Sequence, residues 1–339
     1  MSGLDPVQAR SIIDFLIRTT KSAALFLLLL ASIALGQSAP QGKPPDPPQN
    51  RTQNPIGPED TFKVDVKLVN VYVTVTDQKG APVAGLSKDN FHLLEDGRGQ
   101  IISVFDKESA VPLSIALAID TSLSTRRDLP LEQTSAKRFA RTVIRPVDAL
   151  SVFGFSESVL QSTGYTADLK RIDEGIDHVR LGAATALYDA VYLASRSLNK
   201  RRGRKVLVLI TDGGDTVSRI DYTQAARAAE EAEALVYSII VVPIENSAGR
   251  ETGGEHALIQ LSDDTGGKYY YANSVSQLDD AFRQISDELR TQYLLAYYPS
   301  QRLTNSQFRR IQVSISGRDD ASSYHVRHRA GYYTSTSDF

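Results

Sequence analysis

The 339-residue sequence contains no cysteine. This absence excludes disulfide bonds, a thiolate nucleophile, an iron–sulfur cluster and a cysteine-ligated zinc site. Histidine is also scarce, with five residues, and none of them stands in the spacing of a metal-binding motif such as H-E-x-x-H. Any bound metal ion would therefore have to be held mainly by oxygen atoms.

The sequence also lacks an excess of charge of either sign. It has 38 Lys and Arg against 40 Asp and Glu, which gives a formal net charge of −2. A nucleic-acid-binding protein neutralises phosphates with a basic excess, and that excess is missing here. The hydrophobic content of 41% and the charged content of 23% are globular proportions, and the length suits about two domains. We therefore expect a folded protein that does not bind nucleic acid.

The first residues have the composition of an export signal. Three basic residues precede an uncharged apolar run from Ala23 to Leu35, and a small-x-small cleavage site ends at Gly36. The run is shorter than the about 20 residues that span a membrane comfortably. We expect residues 1–36 to be a signal peptide and the protein to be secreted, periplasmic or part of the cell envelope. The alternative is an uncleaved segment that tethers the chain to a membrane.

Residues 37–60 form the next segment of distinct composition. Half of the 14 prolines of the chain lie between Pro40 and Pro58. Proline lacks a backbone donor and favours the extended polyproline II conformation. We expect a semi-rigid linker that holds the globular part away from a membrane or wall.

Two separate regions have the period-two pattern of β-strands. Alternating apolar residues separated by turn residues occur between Phe62 and Phe105, and the same pattern returns after residue 292. Neither region supplies enough strands for a stable sheet of its own. We therefore predict that residues 61–110 and 291–335 form the two parts of one small, split β-sandwich. Two separate minor β domains are the alternative.

The region between them, residues 111–290, predicts a different architecture. Near-continuous apolar runs, which are typical of strands buried on both faces of a parallel sheet, alternate with amphipathic stretches of helical length. This alternation predicts a doubly wound α/β domain with a mostly parallel, Rossmann-like sheet, inserted in the split sandwich. The apolar runs are Leu113–Ile119, Leu150–Phe155, Val206–Ile210 and Leu235–Val242.

Oxygen-bearing side chains follow the predicted strands. Asp120, Ser122 and Ser124 come after the first buried strand, Asp212 comes after the third, and Thr185 lies in a loop that opens a helix. The carboxyl ends of parallel strands share one edge of a sheet, where ligands of open α/β sheets bind. Two carboxylates and three hydroxyls are a hard ligand set that suits Mg²⁺, with Mn²⁺ or Ca²⁺ as alternatives. We expect the hydroxyls to bind the cation directly and the aspartates to bind it directly or through water.

The same five residues resemble the metal-ion-dependent adhesion site of von Willebrand factor type A domains. Its pattern is Asp-x-Ser-x-Ser, then Thr in a glycine-rich loop, then Thr-Asp-Gly after a buried strand, and all five positions match here. The resemblance covers roughly residues 111–290. Together with the export signal and the β-rich region, the chain is similar to exported proteins with this domain from Acidobacteria. Many members of the family have Gly at the position of Leu123 and Met at that of Thr125, which leaves the shape of this loop open.

The resemblance implies a binding protein and not an enzyme. An open coordination position on the cation would accept an acidic residue of a protein partner, in adhesion or scaffolding. One alternative is a structural envelope protein in which the metal only stabilises the fold. The other is a metal-dependent hydrolase, which is less favoured because the sequence has no Gly-x-Ser-x-Gly elbow and no evident general base.

Overall fold

The computed structural model of the chain describes residues 68–107, 111–123, 125, 128–242, 252–301, 307–317, 320 and 323–334. Its centre is a six-stranded sheet with the strand order β10-β9-β8-β5-β6-β7. Five strands are parallel, and β7 runs antiparallel at one edge. The strands of this sheet are β5 (Leu113–Asp120), β6 (Ala149–Phe155), β7 (Val159–Thr166), β8 (Arg204–Thr211), β9 (Ala234–Val241) and β10 (Lys268–Ala272).

Helices cover both faces of the central sheet. Apolar side chains of α1, α2 and α6 pack on one face, and those of α3, α4 and α5 pack on the other. Because both faces are covered, β5 is buried along its whole length, which explains its near-continuous apolar sequence. The helices are α1 (Leu129–Val143), α2 (Leu169–Asp177), α3 (Leu187–Asn199), α4 (Tyr222–Glu231), α5 (Thr252–Thr265) and α6 (Val275–Thr291).

Two antiparallel four-stranded sheets form a β-sandwich beside the α/β domain. Their orders are β13-β1-β11-β4 and β14-β12-β2-β3, and their inner faces share one apolar core. Strands from before the α/β region pair with strands from after it, since β1 pairs with β11 and β2 with β12. The strands are β1 (Val69–Thr76), β2 (Phe91–Glu95), β3 (Arg98–Gly99), β4 (Ile102–Asp106), β11 (Tyr293–Tyr297), β12 (Phe308–Ile315), β13 (His325–Arg327) and β14 (Gly331–Tyr333).

The sandwich packs against the amino-terminal ends of the parallel strands. Arg204, the first residue of β8, is buried and donates to Gln292 (Nη1 to Oε1, 3.0 Å). Gln292 in turn donates to Thr74 of β1 (Nε2 to Oγ1, 3.0 Å). Near the start of β10, Arg327 of the sandwich pairs with Glu288 of α6 (2.7 Å). These contacts leave the carboxyl-terminal edge of the central sheet on the side away from the sandwich.

The predicted fold class, a doubly wound α/β domain inserted in a split β-sandwich, is confirmed. The edge strand β7 was not among the predicted strands, because its half-exposed residues Val159–Thr166 lack a regular apolar alternation. The bounds of the predicted domains stay predictions, and the proposed signal peptide and linker lie outside the described residues. Within those residues, no helix has both the length and the apolar character needed to cross a membrane.

The split sandwich can be tested at its central strand β11. Leu295 is fully buried between β1 and β4, so Leu295→Ala should lower the free energy of unfolding by about 2–5 kcal/mol, as cavity-forming substitutions do. Ile101→Ala is the control, because Ile101 is 83% exposed and its loss should cost under about 0.5 kcal/mol. Urea denaturation measures both, and equal effects would contradict the buried position of β11.

Candidate metal centre

The candidate site lies at the point where the chain switches faces of the central sheet. From β5 the chain continues into α1 on one face, and from the neighbouring β8 it continues into α4 on the other. The loops that follow β5 and β8 therefore diverge and leave a crevice at the carboxyl ends of the two strands, where α/β sheets bind ligands. Asp120 is the last residue of β5, and Asp212 directly follows β8.

Asp120 is fully buried, and both of its carboxylate oxygens accept hydrogen bonds. The Thr211 hydroxyl donates to Oδ2 (2.7 Å), and the Ser122 backbone N–H donates to Oδ1 (2.9 Å). Burial raises the pKa of Asp120 to about 6, the hydrogen bonds from Thr211 and Ser122 lower it, and the negative charge of Asp212 adds to the rise. Without a cation, the two carboxylates thus repel each other in a site that largely excludes solvent.

The turn after β5 is held by a residue at which the sequence departs from the family pattern. The Thr125 hydroxyl is buried and donates to the carbonyl oxygens of Asp120 (3.1 Å) and Ser122 (3.0 Å). Ser122 is buried beside Asp120, and the neighbouring Leu123 is exposed. The turn therefore closes with Thr where many family members have Met. Ser124, the third residue of the predicted set in this turn, lies outside the described residues.

Thr185 lies in the loop before α3. On one side, hydrogen bonds join this loop to residues that follow β5 and β6. The Gly182 N–H donates to the carbonyl of Thr121 (2.9 Å), and the Ala183 N–H donates to the Glu157 carboxylate (2.8 Å). A Cβ atom at Gly182 would lie 2.5 Å from Cβ of Ser156, closer than side chains approach one another, so glycine suits this position. Backbone hydrogen bonds, among them the one from Ala183, keep the pKa of Glu157 below its ordinary value.

The loop after β8 holds Thr185 from the other side. The Thr216 hydroxyl accepts a hydrogen bond from the Thr185 N–H (2.9 Å), and the Thr216 N–H donates to the Thr185 carbonyl (2.8 Å). The backbone of Thr185 is thus fully bonded. Within the described part of the chain, neither its hydroxyl nor the Asp212 carboxylate has a hydrogen-bond partner. Both groups remain able to bind a ligand.

The described residues fit a cation held by few carboxylates. They contain no group of three or more His, Asp or Glu side chains close enough together to hold a metal ion. The predicted ligand set has two carboxylates and completes its shell with hydroxyl oxygens and water, as Mg²⁺ commonly does. The Thr185 hydroxyl and the Asp212 carboxylate, at the same edge of the sheet as the buried Asp120, would provide oxygen ligands of this kind.

The structure brings four of the five predicted residues to one edge of the sheet, namely Asp120, Ser122, Thr185 and Asp212. Their role as metal ligands stays a prediction. Two residues without a predicted role help to build the site. Thr211 orients Asp120, and Glu157 holds the loop that carries Thr185. Thr211 belongs to the Thr-Asp-Gly segment and could have been suspected from it. Glu157 carries no sequence signal, because its partners are backbone groups 26 residues away.

Comparison with known proteins identifies the central domain. Residues 115–214 match the family model of the von Willebrand factor type A domain. The chain therefore carries such a domain, and to that extent the resemblance seen in the sequence is confirmed. The similarity to exported proteins of Acidobacteria stays a prediction. No curated protein matches the chain in sequence.

Solved structures of low sequence identity have a similar fold. A von Willebrand factor type A protein from Catenulispora acidiphila is 12% identical, with 81% of this chain and 76% of that chain covered and a TM-score of 0.46. The conserved hypothetical protein BatB from Bacteroides thetaiotaomicron is 20% identical, with 52% and 98% covered and a TM-score of 0.42. The PilB minor pilin from Streptococcus sanguinis is 14% identical, with 57% and 64% covered and a TM-score of 0.40.

The hydrogen bond from Thr211 to Asp120 gives a test of the site's construction. Thr211→Val preserves the shape of the side chain but removes the hydrogen bond to the buried Oδ2 of Asp120 and the acceptor of the Gly213 N–H, so the free energy of unfolding should fall by about 1–3 kcal/mol. Thr134→Val is the control, because its exposed hydroxyl bonds only within α1. Urea denaturation in EDTA at pH 7.5 measures the difference, and an unchanged midpoint would contradict the contact.

The electrostatics of the site also predict a pH dependence. Burial, followed by the charges of Asp120, Asp128 and Asp212, raises the pKa of Glu132 in α1 from its ordinary 4.5 to about 8. Between these values the folded protein binds more protons at Glu132 than the unfolded chain does, so this group makes the folded state less stable as pH rises. In EDTA, the stability of Glu132→Gln relative to wild type should therefore grow between about pH 5 and pH 8. Urea denaturation at several pH values checks this, and a constant difference would contradict it.

Proposed function

We propose that this chain is an exported protein that binds partner proteins through a divalent cation held by its von Willebrand factor type A domain. Domains of this family are typically protein-interaction modules. The observation that supports a cation most directly is the arrangement around Asp120. A buried carboxylate is oriented by two hydrogen bonds, next to a second carboxylate and a hydroxyl that have no partners among the described residues.

The ligand set favours Mg²⁺ among the divalent cations. Asp120 and Asp212 supply two negative charges, and Ser122, Ser124 and Thr185 supply hydroxyl oxygens, which are weak ligands without charge. Mg²⁺ retains several waters and is usually bound by only one or two carboxylates. A water of this kind, at the open edge of the sheet, would be replaced by a carboxylate of the partner.

The surface around the crevice is suited to a protein partner. Exposed aliphatic side chains lie on three of the loops that surround it, at Leu123, Leu181 and Val217, with exposed fractions of 55%, 44% and 43%. A cleft of about 320 Å³ adjoins it, lined by residues that include Thr121, Arg180 and Leu181. Exposed apolar groups next to polar ones are a common feature of protein-binding surfaces. A partner that inserts an acidic residue would cover these groups and exclude water from the cation.

The fold also leaves this surface accessible to a partner. The sandwich packs on the opposite edge of the central sheet, and the chain reaches the described structure through β1 of the sandwich. The carboxyl-terminal edge of the central sheet is therefore not covered by the sandwich and is open to partners in the periplasm, the cell envelope or the medium.

The proposal is tested by the cation and the partner together. Mg²⁺ at 100 times its Kd should raise the free energy of unfolding by about 2.7 kcal/mol, and Asp120→Ala should remove this increment while the far-ultraviolet circular dichroism remains that of the folded protein. In a pull-down from envelope extract, wild type should capture a partner in Mg²⁺ but not in EDTA, and Asp120→Ala should capture none. The Thr134→Val variant should behave as wild type in both assays.

The other outcomes of these experiments would favour a different function or contradict the proposed mechanism. Stabilisation by Mg²⁺ without a cation-dependent partner would favour a structural envelope protein with a fold-stabilising metal. Hydrolysis of generic esters or phosphates that requires Mg²⁺ and is lost in Ser122→Ala would favour a hydrolase. Capture of the same partner in EDTA would contradict the proposed mechanism of binding.

A further inference from the structure

Glu132 is a buried carboxylate that the five-residue cation site does not use. It lies in the first turn of α1, and its side chain is only 2% exposed. Both of its carboxylate oxygens are inaccessible to solvent and have no hydrogen-bond partner. A buried carboxyl group without a hydrogen-bond partner is destabilising whether or not it is charged, so its presence here requires a cause.

The surroundings of Glu132 make its burial less favourable still. The nearest charged groups that influence it are the carboxylates of Asp120, Asp128 and Asp212, and no described cation offsets them. The helix N-terminus favours acidic residues in the first turn, but that effect accounts for an exposed acid and not for two oxygens buried without donors. Glu132 is therefore buried within the electrostatic influence of the two aspartates of the cation site and lacks a positive partner within the described part of the chain.

Other buried glutamates of the chain are compensated. Glu95, in the core of the sandwich, accepts hydrogen bonds at Oε2 from the hydroxyls of Tyr297 (2.6 Å) and Tyr332 (2.9 Å). Glu288 lies 2.7 Å from a guanidinium nitrogen of Arg327. The fold thus supplies partners to buried carboxylates elsewhere, and what Glu132 faces is the site where a cation is proposed to bind.

We do not assign Glu132 as a direct ligand of the cation. The described residues contain no group of three carboxylates compact enough to hold an ion between them. A hydrated cation extends beyond its direct ligands, because Mg²⁺ keeps several of its waters. Carboxylates outside the ligand shell commonly accept hydrogen bonds from such groups and tune the affinity of the site.

We propose that Glu132 is an outer carboxylate of the cation site, which accepts hydrogen bonds from water bound to the cation and supplies the site with a third negative charge. This inference rests on the proposed function. It gives Glu132 a role in metal affinity and not in partner contact, since its side chain is only 2% exposed. A monovalent cation would offset less of this charge, so the third carboxylate favours a divalent ion.

The test compares Glu132→Gln with wild type and with Glu95→Gln, a buried glutamate of the sandwich whose Oε1 also has no partner. Isothermal titration with Mg²⁺ should give a Kd about 10- to 100-fold weaker for Glu132→Gln, the usual effect of losing an outer-shell partner, and an unchanged Kd for Glu95→Gln. In EDTA at pH 8, Glu132→Gln should melt at a higher temperature than wild type, and Mg²⁺ should raise its melting temperature less.

The outcomes separate this inference from the proposed function. If wild type and Glu132→Gln bind Mg²⁺ equally, the outer carboxylate is refuted and the cation site stands. If wild type binds none of Mg²⁺, Mn²⁺ and Ca²⁺, both are refuted. A melting temperature that changes equally in EDTA and in Mg²⁺ would indicate a structural role and overturn the inference. Glu132→Met, which fills a similar volume without a charge, provides the same comparison if the Gln variant does not fold.

Discussion

The burial of one carboxylate, Asp120, is the constraint on which the candidate site depends. A carboxylate at the end of a central strand is removed from water and must be held by donors or neutralised. Thr211 and the backbone of Ser122 provide the donors, and the repulsion from Asp212 remains. A divalent cation bound at this edge would offset this repulsion.

The amino-terminal and carboxyl-terminal edges of the parallel sheet make different contacts. At the amino-terminal edge, Arg204 and Gln292 join the α/β domain to the sandwich through buried hydrogen bonds. At the carboxyl-terminal edge, loops bond mainly to one another, as Thr185 does with Thr216. Packing against the sandwich holds the amino-terminal edge of the central sheet in place. A sheet held in this way can position binding residues on the loops at its carboxyl-terminal edge.

Much of the architecture could be predicted from patterning. The continuous apolar run of β5 indicated a strand buried on both faces, and the period-two segments before and after the α/β region indicated one shared sandwich. The edge strand β7 escaped prediction because its half-exposed residues lack a regular apolar alternation. Site residues such as Asp120 and Asp212 could be placed because strand ends of a parallel sheet meet at one edge whatever the details of packing.

The sequence by itself determined most of the strands and helices and the position of the candidate oxygen ligands at strand ends, since burial periodicity is a local property. Only the tertiary structure decided which polar residues are buried and what they face. Arg204 belongs to a basic run that is typical of an exposed helix end, yet it is buried against the sandwich. Glu132 has the sequence position of an ordinary acidic residue in the first turn of a helix. Its carboxylate is nevertheless buried without a hydrogen-bond partner among the described residues, within the electrostatic influence of the two aspartates of the site. Burial of this kind depends on segments far apart in the chain, and no local pattern records it.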